Sequence, residues 1–79
     1  MKLLIRNLPR TTSEEELQAL FEPYGAIQSC TIILDKETGI SKGFGFINMP
    51  KPGEAKAAVK MLNGFDLAGS KIRVKKADD

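Results

Sequence analysis

The chain has 79 residues, of which 42% are hydrophobic and 28% charged, with a net charge of +2, one cysteine and no histidine. That suffices for one small domain spanning 1–79, not two, with a core small enough to keep stability modest. It excludes an internal disulfide, a Cys/His zinc site and the commonest general base, and no residue pattern calls for a metal or another cofactor.

No apolar run approaches the roughly 18 residues that a membrane span needs, so no membrane partner is expected. The opening "MKLLIRNLPR" places a run of only three apolar residues before Arg6, too few for a secretory leader. "KLLIRNL" (2–8) is rich in β-favouring apolar residues and stops at Pro9, which predicts a first strand. In "TTSEEELQALFEPYG", Thr12 can cap a helix, with Glu15 three residues on to complete a capping box. The acidic first turn suits the helix dipole. Leu17, Leu20, Phe21 and Tyr24 follow at helical spacing, and Pro23 and Gly25 end the helix.

"IQSCTIIL" (27–34) predicts a second strand, in which the lone Cys30 fits a small core residue better than a redox group. "DKETGISK" is a polar loop, with Gly39 available for a left-handed turn. "GFGFINM" (43–49) predicts a third strand, stopped by Pro50 and Pro52. "GEAKAAVKMLNG" sets Ala55, Ala58, Val59 and Leu62 on one helical stripe, with Asn63-Gly64 as the stop. "FDLAGS" reads as a short connection or hairpin, and "KIRVKKA" (71–77) alternates as a fourth strand.

The order β-α-β-β-α-β is that of the split βαβ or ferredoxin-like arrangement, an α+β fold. Two helices cover one face of a four-stranded antiparallel sheet, and the other face has no helix to cover it. The terminal "ADD" is too short to supply a third helix. Charge is polarised to match. Thr11 to Asp35 holds five acidic residues and no basic one, whereas Lys71 to Lys76 holds four basic residues and no acidic one. Such polarity can favour an anionic partner despite the small net charge.

Alternation assigns the faces. Leu3 and Ile5 fit the core, which turns Lys2, Leu4 and Arg6 outward. Ile72 and Val74 fit the core, which turns Lys71, Arg73 and Lys75 outward. The third strand leaves two options: Ile47 and Met49 inward with Gly45, or Phe44 and Phe46 inward with Asn48. The second buries an asparagine and exposes an isoleucine and a methionine. The first leaves two phenylalanines on the open face, with Gly43 and Gly45 on the covered side letting a helix come close.

"KGFGFINM" resembles the eight-residue ribonucleoprotein signature of RNA recognition motif domains, [KR]-G-[FY]-[GA]-F-V-x-[FY]. "LLIRNL" is similar to the six-residue companion signature, and "LFEPYG" and "LNG" extend the resemblance over essentially the whole chain. The resemblance implies that both rings face outward. It implies that Lys42, Phe44 and Phe46 are RNA-contacting positions and that Leu4 stands where the family usually has a stacking aromatic. Met49 replaces a final aromatic that faces the core in the family. Lys2, Arg6, Lys42, Arg73 and Lys75 share the open face by parity, and Asn48 there could read a base edge.

The expectation is a binder of single-stranded RNA, or of single-stranded DNA, acting in post-transcriptional regulation or as an RNA chaperone, not an enzyme. The chain resembles the small one-domain bacterial proteins of this family, which implies a cytoplasmic monomer. The alternative is protein interaction or weak dimerisation through an apolar patch of Leu4, Ile33 and Phe44. A third reading, an acyl-phosphate hydrolase, would use Arg6, Asn7 and Arg10, but lacks the glycines of a phosphate-cradling loop.

Overall fold

The apolar alternation of the sequence becomes a single sheet with one helix-covered face. The structure is a computed structural model describing residues 1–77. Its elements are β1 (Lys2–Arg6), α1 (Glu14–Phe21), a 3-10 turn (Glu22–Tyr24), β2 (Ser29–Leu34), β3 (Ser41–Asn48), α2 (Pro52–Leu62), β4 (Asp66–Leu67), β5 (Ser70–Lys71) and β6 (Arg73–Lys76). The main sheet is four-stranded in the order β2-β3-β1-β6, with all pairs antiparallel. The expectation about residues 77–79 falls partly on 78 and 79, which lie outside the described residues.

Leu3, Ile5, Ile32, Ile47, Met49 and Val74 turn to one face of the sheet and are buried. Against them pack Leu17 and Phe21 of α1 and Ala55, Ala58 and Leu62 of α2. Val59, on the expected stripe of α2, is only half-buried at its margin. The two options for β3 are resolved by cost. Fully burying an Ile, Met or Phe side chain contributes a similar amount, about 1.5–3 kcal/mol, so the apolar gain is alike in the two options and the asparagine decides. Burying an unpartnered asparagine amide costs about 1–3 kcal/mol. Ile47 and Met49 therefore go in, and Phe44, Phe46 and Asn48 face out, each half-buried.

Several boundaries differ from expectation. The capping box is Ser13 with Glu16, not Thr12 with Glu15: Glu16 N–H donates to Ser13 Oγ at 3.1 Å, and Ser13 N–H donates to Glu16 Oε1 at 3.3 Å. Thr12 is used one step earlier, closing a turn by donating its N–H to Pro9 O at 3.1 Å, and it is buried. Pro52 does not merely stop β3; it opens α2 at the first helical position, where the missing N–H is no loss. "FDLAGS" does form a hairpin, β4–β5, turning through Ala68 and Gly69 at φ 50° and 89°. It takes Lys71 with it, so the fourth strand of the main sheet begins at Arg73.

The glycines of β3 have a different purpose from the one expected. A Cβ on Gly45 would lie 2.5 Å from Thr31 O and 3.1 Å from Ile32 Cα, both backbone atoms of β2. One on Gly43 would meet Arg10 Nε at 3.3 Å and Leu8 O at 3.4 Å, and Gly43 has φ +85°. Neither makes room for a helix. They let β3 press against β2 and the β1–α1 loop where the β2–β3 register slips between Ile32 and Leu34.

Both outer edges of the sheet are occupied by side chains. Ile32 N–H on β2 donates to Glu14 Oε2 at 2.8 Å, and Val74 N–H on β6 donates to Asn63 Oδ1 at 3.1 Å. An added strand would need those same N–H groups. Cys30 is half-buried beside Glu14, its Sγ 3.5 Å from the Glu14 carbonyl oxygen it donates to. Burial first, and the Glu14 charge second, push its thiol up to about 11. The thiol is protonated at neutral pH and a poor nucleophile, which suits a packing role.

Gly45→Ala tests the close strand approach. Because backbone atoms cannot swing aside, the added methyl is expected to cost about 1–3 kcal/mol of stability, read from the urea midpoint. An unchanged midpoint would show that β2 and β3 have room to spare.

Candidate nucleic-acid interface

β1 and β3 are the central strands, so their outward residues meet in register on the open face. Arg6 is opposite Phe44, Leu4 opposite Phe46, and Lys2 opposite Asn48. On the β6 side, Lys75 is opposite Leu4 and Arg73 is opposite Arg6. On the β2 side, Thr31 is opposite Phe46 and Ser29 is opposite Asn48. The face is thus a grid: an apolar centre of Leu4, Phe44 and Phe46, with cations at both ends and along the β6 side.

Phe44 and Phe46 form one unit. Their ring centroids lie 6.3 Å apart with planes at 88°, an edge-to-face pair worth about 0.5–1.5 kcal/mol beyond area burial. This pairing holds the rings at right angles, so a flat molecule cannot lie on both in one plane. The Lys2 ammonium stands 4.5 Å from the Phe46 ring centroid, a cation–π contact of about 0.5–1 kcal/mol at an exposed site. Lys42 is exposed at the β3 end, beyond the last paired residue of β1, and is the residue least drawn into the cluster.

Arg6 and Arg73 are both exposed and directly opposed. Like charges in that position repel. With Asn7, Asn63, Val74 and Lys75 they line an open concavity of about 550 Å³. A second cleft, of about 350 Å³, is lined by Lys2, Ser29, Thr31, Phe46 and Asn48. Ser29 and Thr31 were not singled out from the sequence, although the parity that turns Ile33 outward turns them outward too.

Of the three residues that would serve acyl-phosphate chemistry, Asn7 and Arg10 are engaged in the scaffold, and Arg6 is exposed on the open face. Asn7, at φ 60°, donates from Nδ2 to Lys71 O at 2.8 Å, which ties the end of β1 to the hairpin. Arg10 donates from Nη1 to Ser41 O at 2.8 Å and packs beside Gly43. Among the described residues, no group of three or more His, Cys, Asp or Glu is placed to hold a metal ion. No helix among them is long and apolar enough to cross a membrane.

The sequence model of the RNA recognition motif matches residues 3–73. The chain belongs to the RNA recognition motif family. It is 43% identical over 72 residues to the RNA-binding protein BRN2 of Arabidopsis thaliana, covering 91% of this chain and 17% of that protein. It is 40% identical over 76 residues to the chloroplastic 28 kDa ribonucleoprotein of Spinacia oleracea, covering 96% of this chain and 33% of that one. Among solved structures it superposes on the Sxl-lethal protein/RNA complex with a TM-score of 0.94 at 32% identity, covering 99% of this chain and 47% of that chain. The chain therefore spans about a sixth to a third of these curated relatives. They are plant proteins, one of them chloroplastic, and lend no support to the bacterial resemblance or the cytoplasmic setting expected from the sequence.

The opposed arginines give a stability test on the free protein. Arg73→Gln relieves the repulsion with Arg6 and is expected to raise stability by roughly 0.2–1 kcal/mol at low salt, with the gain fading as salt is added. A loss of stability would mean that Arg73 has a favourable partner on this face.

Proposed function

We propose that the chain binds single-stranded RNA on the open face of its sheet. The carrying observation is the pair of half-exposed rings, Phe44 and Phe46, on the one sheet face that no helix covers, bordered by Lys2, Arg6, Arg73 and Lys75. Unpaired bases stack on the rings, and the cations meet phosphates. Lys42 extends the basic border past Phe44. Leu4, between the two edges of the platform, packs against a base without a π-face to stack on. The family and the RNA-bound structural relative support this reading.

Each base–aromatic stack is worth on the order of 1–3 kcal/mol, so two give roughly 2–6 kcal/mol. With a few phosphate contacts added, that is millimolar-to-micromolar binding and a modest sequence preference. Stacking and phosphate contacts serve single-stranded DNA equally; only contacts to the 2′-hydroxyl separate the two. Self-association through the same face is less favoured. Two copies meeting face to face would bring two sets of like-charged side chains together, and both sheet edges are already capped by Glu14 and Asn63. A monomer acting on RNA after transcription is the reading this supports.

Phe44→Ala/Phe46→Ala is expected to weaken binding of a single-stranded RNA octamer at least about tenfold, while the circular dichroism spectrum stays that of the folded parent and the melting temperature drops by roughly 4–8 °C for each kcal/mol lost with the ring pair and the Lys2 contact. Unchanged affinity would refute stacking on these rings. In the parent, log K is expected to fall with log salt at a slope no steeper than about −2.8, from four phosphate contacts (Arg6, Lys42, Arg73 and Lys75) at about 0.7 each. Arg73→Gln is expected to make that slope shallower by about 0.7.

A further inference from the structure

Lys2 and Asn48 are direct register partners across β1 and β3, and Ser29 stands on the other side of Asn48. Together with Thr31 and Phe46 they line one cleft. Lys2 lies outside both signatures, and Asn48 occupies the variable position of the long one. Their hydrogen-bonding capacities differ in kind. The ammonium has three N–H donors and no acceptor, whereas the Asn48 amide and the Ser29 and Thr31 hydroxyls can each donate or accept. One partner in the cleft has a fixed polarity, and the others adapt to what they meet.

We infer that this cleft is a base-reading subsite that prefers the carbonyl-and-ring-N–H edge shared by uracil and guanine to the amino edge of cytosine and adenine. The inference rests on the proposal that bases stack on Phe44 and Phe46. In the free protein the Lys2 ammonium occupies the neighbourhood of the Phe46 ring, 4.5 Å from its centroid. A base lying on that ring displaces the ammonium to the base's rim, within reach of its tether on β1. There Lys2 donates to the carbonyl oxygen, O4 of uracil or O6 of guanine. The neighbouring ring N–H of the same base then finds an acceptor in Asn48 Oδ1. In cytosine and adenine the equivalent group is an exocyclic amine, whose hydrogens point at the ammonium. Asn48 can turn its amide to suit either edge; Lys2 cannot. The discrimination therefore depends on Lys2.

Fluorescence anisotropy with labelled rU8 and rC8, whose bases differ only at this edge, tests the assignment. The native protein is expected to bind rU8 at least about fivefold more tightly than rC8, the low end of what one well-made base contact supplies. Lys2→Met keeps an unbranched side chain one atom shorter and removes the donors; it is expected to bring the ratio close to one. Arg73→Met removes a cation from the same face but from outside the cleft, and is expected to weaken both octamers equally. Equal affinities in the native protein, a ratio that survives Lys2→Met, or a ratio that collapses equally in Arg73→Met overturns the assignment. If neither octamer binds, or if binding is indifferent to Phe44→Ala/Phe46→Ala, the stacking proposal itself fails and this inference falls with it.

Discussion

Two helices, of eight and 11 residues, lie on one face of a four-stranded sheet. Every strand of that sheet alternates, so half of its side chains point to the face that has no covering layer. On the covered face the side chains are Leu3, Ile5, Ile47, Met49 and Val74, all buried. On the bare face a fold selected only for stability would place polar groups. Here the two central strands place Leu4, Phe44 and Phe46 instead, in register and surrounded by cations. The apolar centre and basic border together fit a ligand that is flat and apolar on its faces and anionic along its backbone.

The platform is held from behind and from the sides. Gly45 lets β3 sit hard against the β2 backbone between Phe44 and Phe46, which fixes both rings on the outer side of one strand. Gly43 adopts a left-handed conformation beside Arg10, whose guanidinium is tied to the Ser41 carbonyl. These contacts belong to the scaffold, yet they set where the rings stand. The edge bonds from Glu14 and Asn63 keep the sheet from growing sideways, so a partner does not join as an added strand.

Much of this was legible in the sequence, for identifiable reasons. Period-two alternation in "KLLIR" and "IRVKK" and the helical stripe of Ala55, Ala58 and Leu62 are strong local patterns, and they gave the element order and the core. The direction of Phe44 and Phe46 was not a local matter. It depended on weighing Asn48 against Ile47 and Met49, and in the sequence only the resemblance chose between them. The reason for Gly43 and Gly45 was hidden because it lies in the backbone of another strand and in a register slip, which no single stretch encodes. The shift of the capping box from Thr12 to Ser13 was hidden for a similar reason: both residues are competent caps, and the preceding turn from Pro9 decides between them. Ser29 and Thr31 were readable by parity, but hydroxyls on an edge strand carry no signal until Asn48 and Lys2 are placed beside them.

The central claim is that the bare sheet face, not the helices, meets the nucleic acid. The most direct measurement is a map of backbone amide chemical shifts during titration with a short single-stranded RNA. The largest changes are predicted on β1 and β3, at Leu4, Arg6, Phe44, Phe46 and Asn48, with α1 and α2 nearly unmoved. Changes concentrated on α2 and around its exposed Met61 and the following Phe65, with β1 and β3 silent, would contradict the account.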